Sequence, residues 1–217
     1  MPIQNKIPFF KKTILIVLLF FACNFIFSQS FQKGNFDIST GIGIGLYGVA
    51  SNDINEVPET GINTAKILFP VNVNYFILDR LSVRLSMQYN NIPTNPNSTN
   101  TYARTINFGI NSKILLLNSS NDIVFLDLCL GHSEFIWRNR KKIDGLNGYG
   151  YFYHIGFGFN HYFNNSLGFY FHGAYAVYQY NMLYNNRDLV ITVKEGIEPL
   201  IINLSGFNLT TGFCLKF

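Results

Sequence analysis

The last eleven residues constrain this chain most. From Phe207 to Phe217, Phe207, Leu209, Thr211, Phe213, Leu215 and Phe217 alternate with Asn208, Thr210, Gly212, Cys214 and Lys216. A period of two, bulky and apolar on one side and small or polar on the other, is a β-strand whose faces meet different surroundings. The run is also long enough to cross a bilayer at a tilt, for which about nine to eleven residues suffice. In hydrocarbon every backbone N–H and C=O must be paired strand to strand, so such a strand belongs in a closed barrel with no free edge.

Composition carries the same message. Hydrophobic residues make up 48% of the chain, aromatic residues 17% and charged residues 13%, whereas about a quarter of a soluble domain is charged. Beyond residue 28 no apolar stretch approaches the roughly twenty residues of a spanning helix. The apolar residues fall instead into about eight alternating segments. In Phe36 to Val49, Phe36, Ile38, Ile42, Ile44 and Leu46 face away from Asp37, Ser39, Gly41, Gly43, Gly45 and Tyr47. In Lys66 to Phe76, Ile67, Phe69, Val71, Val73 and Tyr75 oppose Lys66, Pro70, Asn72 and Asn74. The third segment sets Leu81, Val83, Leu85, Met87 and Tyr89 against Ser82, Arg84, Ser86 and Gln88. Tyr102 to Ile114 sets Tyr102, Arg104, Ile106, Phe108, Ile110 and Ile114 against Thr105, Asn107, Gly109, Asn111 and Lys113. In Ile123 to Trp137, Val124, Leu126, Leu128 and Leu130 oppose Asp127, Cys129, Gly131 and Ser133. Tyr149 to Phe163 and Leu167 to Tyr180 are joined at Asn164-Asn165-Ser166, a tight hairpin signal, and Phe207 to Phe217 closes the series.

The connections alternate strictly. Ala50 to Ala65, Asn90 to Thr101, Arg138 to Gly148 and Asn181 to Pro199 are long and polar, while the joins near Asp79, Asn118 to Asp122 and Asn165 are short. An up-and-down membrane barrel with long outer loops and short periplasmic turns has this rhythm and puts both termini in the periplasm. A soluble barrel would need its bulky side inside, but the faces opposite Phe, Tyr, Ile and Leu carry Gly, Ser, Asn and Thr, too small to fill a dry core. Tyr47, Tyr89, Tyr102, Tyr149, Tyr151, Tyr178, Tyr180 and Trp137 are expected in an outer aromatic girdle, and Tyr75, Tyr162, Phe163 and Phe217 in an inner one.

At the other end, Lys6, Lys11 and Lys12 precede an apolar run from Thr13 to Cys23 that gives way to polar sequence after Ser28, the order of a secretory signal. Residues 1–28 are therefore expected to be a cleaved signal peptide and residues 29–217 the barrel domain. Removing three of the 16 Lys and Arg leaves 13 against 12 Asp and Glu, so the net charge falls from +4 to +1 and no argument for nucleic acid remains. Cys129 and Cys214 sit in separate strands and read as small packing residues.

The signal, the alternation and the terminal Phe217 together resemble the small single-domain outer-membrane barrels, the general kind of the OmpA transmembrane domain, the OmpW family and the porin-family-like barrels common in Bacteroidota. The resemblance implies an all-β chain in an eight-stranded antiparallel up-and-down transmembrane β-barrel, located in the bacterial outer membrane, monomeric and without cofactor. It also implies that Phe207, Leu209, Phe213, Leu215 and Phe217 form the signal read by the barrel-assembly machinery. No peptidoglycan-binding domain follows the barrel, so cell-wall tethering is not expected.

Several residues invite chemistry. Gly43, Gly45 and Gly48 match G-x-G-x-x-G, but they lie in a strand with no helix after it, and inward glycines serve to admit large neighbours such as Tyr170 or Phe152. His132-Ser133-Glu134 has a catalytic look, and eight-stranded lipid A deacylases use His, Ser and a carboxylate. Adjacent strand residues point to opposite faces, however, so imidazole and hydroxyl diverge. A polar inward set is more coherent: Asp37, Arg84, Lys113, Asp127, His154 and His172, with Asn72, Asn74, Asn107, Asn111, Asn160 and Gln88. Opposite charges in similar number inside a narrow lumen imply a paired network that plugs it. Its two histidines could instead mark a metal site or proton relay, a weak signal without a clear carboxylate partner. With a turn centred near Ser119, Asn111 is expected opposite Asp127 and Lys113 diagonal to it. Arg138, Arg140, Lys141 and Lys142 beside Trp137 are a candidate lipopolysaccharide contact. The functional expectation is a non-enzymatic envelope-structural or surface-interaction barrel in contact with outer-membrane lipid. A narrow channel or small-solute conduit is the alternative, and a lipid A-modifying hydrolase a more distant one.

Overall fold

The structure, a computed structural model, describes residues 31–52, 63–92, 101–139, 145–185, 189–193 and 198–217. In chain order the strands are β1 (Phe36–Ser51), β2 (Asn63–Leu78), β3 (Leu81–Ile92), β4 (Thr101–Asn118), β5 (Asp122–Asn139), β6 (Gly145–Tyr162), β7 (Leu167–Asn185), β8 (Thr192–Val193), β9 (Glu198–Pro199) and β10 (Ile202–Lys216). Eight of them close a barrel in the order β1-β10-β7-β6-β5-β4-β3-β2, while β8 and β9 form a short hairpin of their own. Every barrel pairing is antiparallel. The seam runs from Asp37↔Lys216 to Ser51↔Ile202, and Phe36 and Phe217 exchange backbone hydrogen bonds of 3.1 and 2.9 Å at its end. Closure thus leaves no edge strand among the barrel strands.

The short connections share one rim with that seam end. Asp79 and Arg80 join β2 to β3, and Ser119 holds the β4–β5 turn by accepting from Asp122 N and donating to its carbonyl, at 3.0 and 2.8 Å. At the β6–β7 turn Asn164 Oδ1 accepts from Ser166 N and Leu167 N at 2.9 and 2.8 Å, a side chain standing in for a backbone turn. The long connections all leave the opposite rim, so the alternation read from the sequence holds.

Outward positions are the expected ones. Ile42, Ile44, Leu85, Ile110, Leu128, Leu130, Ile155 and Phe213 are all more than half exposed, with Leu130 at 72%, and they form a continuous apolar belt of the sort that lipid rather than water would cover. The inward positions between them carry Asn, Ser, Thr, Gly and the charged residues. At Gly41 an added Cβ would lie 2.6 Å from the Tyr170 hydroxyl, so the absent side chain admits the large one facing it.

The strands run further than the belt, up to 19 residues in β7, and the apolar residues change sides on the way. In β10 Phe207, Leu209 and Phe213 point out, but Ile202 and Leu204 are buried inside; β5 likewise turns Leu126, Leu128 and Leu130 out and Phe135 in. Above the belt the barrel is therefore built like a soluble one. This corrects the expected girdles: Tyr47, Tyr178 and Tyr180 are buried at 2%, 1% and 0%, and Tyr162 at 1%, all within the barrel. Trp137 packs against the same inner cluster. Tyr75, Tyr149, Tyr151, Phe163 and Phe217 do point outward; the side chain of Tyr102 lies outside the described residues.

Two apolar clusters lie inside the barrel, one toward each end. At the rim of short turns Phe31 enters the barrel mouth, stacks on Phe76 with ring centroids 4.2 Å apart and packs with Tyr162, Leu115, Ile123, Phe125 and Cys214. Its backbone is clamped by Asn118, whose side chain accepts from Phe31 N at 2.9 Å and donates to Phe31 O at 2.8 Å. At the opposite end Tyr178, Tyr180, Phe135, Leu146, Leu183, Leu200, Ile202 and Leu204 form a larger cluster.

Candidate functional site in the lumen

Strand alternation brings polar and charged side chains from seven barrel strands into the space between those clusters. Asp37 accepts hydrogen bonds from Asn74 on one oxygen and pairs with Lys113 Nζ at 3.5 Å on the other. Asn74 Oδ1 in turn accepts from Arg84 Nε at 2.7 Å, and Arg84 Nη1 donates to Asp127 Oδ2 at 2.9 Å. Asp127 also meets Asn111 at 3.3 Å, His154 Nε2 at 3.4 Å and His172 Nε2 at 2.9 Å. Phe125 lies beside both cations, its ring centroid 4.1 Å from Lys113 Nζ and 5.6 Å from Arg84 Cζ. One chain of contacts thus runs Lys113, Asp37, Asn74, Arg84, Asp127 and the two imidazoles, tying β1 through β7 together. Buried charges persist only when paired and hydrogen-bonded in this way.

The six expected lumen residues are therefore in one place, but their pairing differs from the expectation. Lys113 lies directly across from Asp127 and Asn111 across from Cys129, because the chain reverses between Ser120 and Asn121 rather than at Ser119, and the bulge between Leu115 and Leu117 takes back only one residue of that offset. Despite being cross-strand neighbours, Lys113 reaches over the lumen to Asp37, and Asp127 takes Arg84 instead. A strand pair sets which residues are adjacent on the wall; inside a narrow barrel the side chains choose partners across it.

The void left in this layer is about 40 Å³, lined by Ser39, Asn72, Ser86, Asn111, His154 and His172 among others, enough for about three waters. Above it Lys66 Nζ sits 4.3 and 4.0 Å from the ring centroids of Tyr47 and Tyr178. It has no hydrogen-bond partner among the described residues, and the faces of these two rings are what it packs against. Tyr47 donates to Asn208, Asn107 Nδ2 to Tyr178 Oη at 3.4 Å, and Ser133 Oγ to Asn107 Oδ1 at 2.6 Å. Ser133 also contacts Tyr180 Oη at 2.8 Å.

Lys66, Tyr47, Tyr178, Tyr180 and Asn208 were not in the expected set. Parity places Lys66 and Tyr47 on the inward face, whereas the girdle expectation for Tyr178 and Tyr180 rests on residue type.

His132 and Ser133 do point apart. His132 stacks outside on Tyr149 with centroids 6.0 Å apart, while Ser133 is fully buried in the lumen, so hydroxyl and imidazole share no reaction geometry. Arg138 donates to the carbonyls of Trp137 and Leu146 at 3.1 and 3.4 Å; Arg140, Lys141 and Lys142 lie outside the described residues, as do residues 1–28. Cys129 and Cys214 are free and buried. Phe207, Leu209, Phe213, Leu215 and Phe217 all face outward, Phe217 at 66% exposure.

No protein-family model matches the sequence, and no curated protein matches it. Solved structures do. The chain is similar to the outer membrane protein OprG from Pseudomonas aeruginosa, with a TM-score of 0.57 and 14% identity over 88% of this chain and 99% of that one. It is similar also to Neisserial surface protein A, with a TM-score of 0.55 and 9% identity over 85% of this chain and 98% of that one. Identities this low speak to architecture, and they agree with the strand count, the antiparallel order and the outward apolar belt: the chain has the fold of the small eight-stranded outer-membrane β-barrels.

Proposed function

We propose that this protein is a monomeric, closed-lumen barrel of the bacterial outer membrane, with both termini in the periplasm and a non-enzymatic role in envelope structure or surface interaction. The observation that carries this reading is the sealed middle layer, in which Arg84–Asp127 and Lys113–Asp37 pair across the lumen between the Phe31 floor and the apolar upper cluster. A pore needs a continuous wet path, and the small void of about 40 Å³ in this layer favours closure over conduction. The divergence of His132 and Ser133 speaks against the lipid A hydrolase reading. In this account Phe207 to Phe217 is read by the barrel-assembly machinery, and the basic stretch from Arg138 to Lys142 meets lipopolysaccharide phosphates beyond the belt.

The test is location and orientation in a Gram-negative host. The protein should fractionate with the outer membrane, migrate heat-modifiably on gels, and carry a cysteine introduced at Asn97 that an impermeant maleimide labels on intact cells. Inner-membrane or soluble fractionation, or labelling only after the outer membrane is breached, would overturn the reading.

A further inference from the structure

We propose that Asp127, His154 and His172 form a lumenal binding site for a transition-metal dication of the zinc class. Each offers one ligand atom, and the three atoms lie within 4.8 Å of one another. Zinc binds imidazole nitrogen and carboxylate oxygen at about 2.0–2.2 Å, which requires ligand atoms roughly 4 Å or less apart. The side chains are short of that by less than an ångström. The sequence alone shows two histidines with no evident acid; the fold supplies the acid.

The backbone builds this arrangement from three neighbouring strands. Asp127 on β5 is directly across from Gly156 on β6, which is across from Ala174 on β7; His154 and His172 each precede those partners by two residues and so flank Asp127 on the inner wall. Gly156 is what lets them meet. A Cβ there would lie 2.2 Å from His172 Nε2 and 2.3 Å from Asp127 Oδ1, so the wall is recessed where the donors converge. The adjoining void is lined by both histidines and by Asn111 and Ser86, leaving space for an ion with a water in the remaining position.

Arg84 tunes the site. Its guanidinium lies on Asp127 Oδ2 at 2.9 Å, offsetting the carboxylate charge, so the ion meets a field close to that of three neutral imidazoles, a known zinc set. Two nitrogen donors select zinc, cobalt, nickel or copper over magnesium and calcium.

The test uses the full mature chain refolded into detergent in the presence of Zn²⁺ or Co²⁺, so that loading does not depend on an open path into the lumen, with excess metal removed by gel filtration. One retained equivalent is expected, with Co²⁺ giving the visible absorption of a low-coordinate nitrogen and oxygen site. H154Q and H172Q should each weaken binding by at least the ~10–100-fold that loss of even a supporting group costs. H132Q and H161Q, at the two histidines outside the lumen, should leave it unchanged, and R84Q should tighten it. X-ray absorption of the zinc-loaded wild-type protein should show two imidazoles, a readout that stands even where a lumen variant fails to fold. No retained metal, fewer than two imidazoles, or retention lost with H132Q or H161Q instead would overturn the site. Metal retention and pore closure are separate measurements, so either can fail alone.

Discussion

At the scale of single residues, the barrel wall separates two kinds of cost. Leu128, 55% exposed in the middle of the apolar belt, should lose about 2–4 kcal/mol on replacement by Arg, whereas Ser205→Arg, outward but beyond the switch in apolar parity, should lose about 0–1 kcal/mol. Denaturant titration of refolded protein in lipid vesicles measures both, and equal losses would place the belt wrongly. Inside, the cost is an orphaned charge. Asp127→Ala removes the partner of Arg84 and of two imidazoles and should destabilise by about 3–5 kcal/mol. Because the deleted partners touch, R84M/D127A should lose less than the sum of the single changes by at least ~1 kcal/mol. Additive losses would mean that the 2.9 Å Arg84–Asp127 contact does not hold in the membrane.

At the scale of elements, the sequence made the middle of every barrel strand legible and left the ends obscure. Alternation is strong where one face must be apolar and the other cannot be, as in Phe207 to Phe217 or Val83 to Met87. It misleads where the rule inverts: Ile202 and Leu204 turn inward within the same strand that turns Phe207 outward, so β10 begins five residues before the alternation predicts, and Tyr47, Tyr178 and Tyr180, expected in a girdle, are core. The composition of the lumen network was readable because parity alone sends Asp37, Arg84, Lys113, Asp127, His154 and His172 inside. Its pairing was not, since the β4–β5 turn centres between Ser120 and Asn121 and a bulge at Leu115 to Leu117 then shifts the register by one, and partners are chosen across the barrel. Phe31 was invisible to any periodicity, standing alone before β1. Phe31→Ala should cost about 3 kcal/mol, as expected for a fully buried aromatic, and denaturant unfolding checks it; no loss would mean that the residue does not cap the barrel. Deleting Phe217 should lower outer-membrane levels of the protein, read by fractionation and immunoblot, if the outward face of β10 is what the assembly machinery recognises.

At the scale of the whole molecule, the barrel is three stacked layers: an aromatic floor around Phe31, a charge-neutral polar middle, and an apolar and tyrosine-rich upper chamber that extends above the lipid-facing belt. Each is tied to several strands, so the lumen contents hold the cylinder together as the hydrogen-bonded wall does. On the closed-lumen reading, opening a path would require breaking two buried ion pairs and displacing both end clusters at once. Single-channel recording in planar lipid bilayers tests this closure most directly. The account predicts no conductance steps from the unmodified protein and a measurable ion leak from Asp127→Ala; sustained open-channel conductance from the unmodified barrel would contradict it.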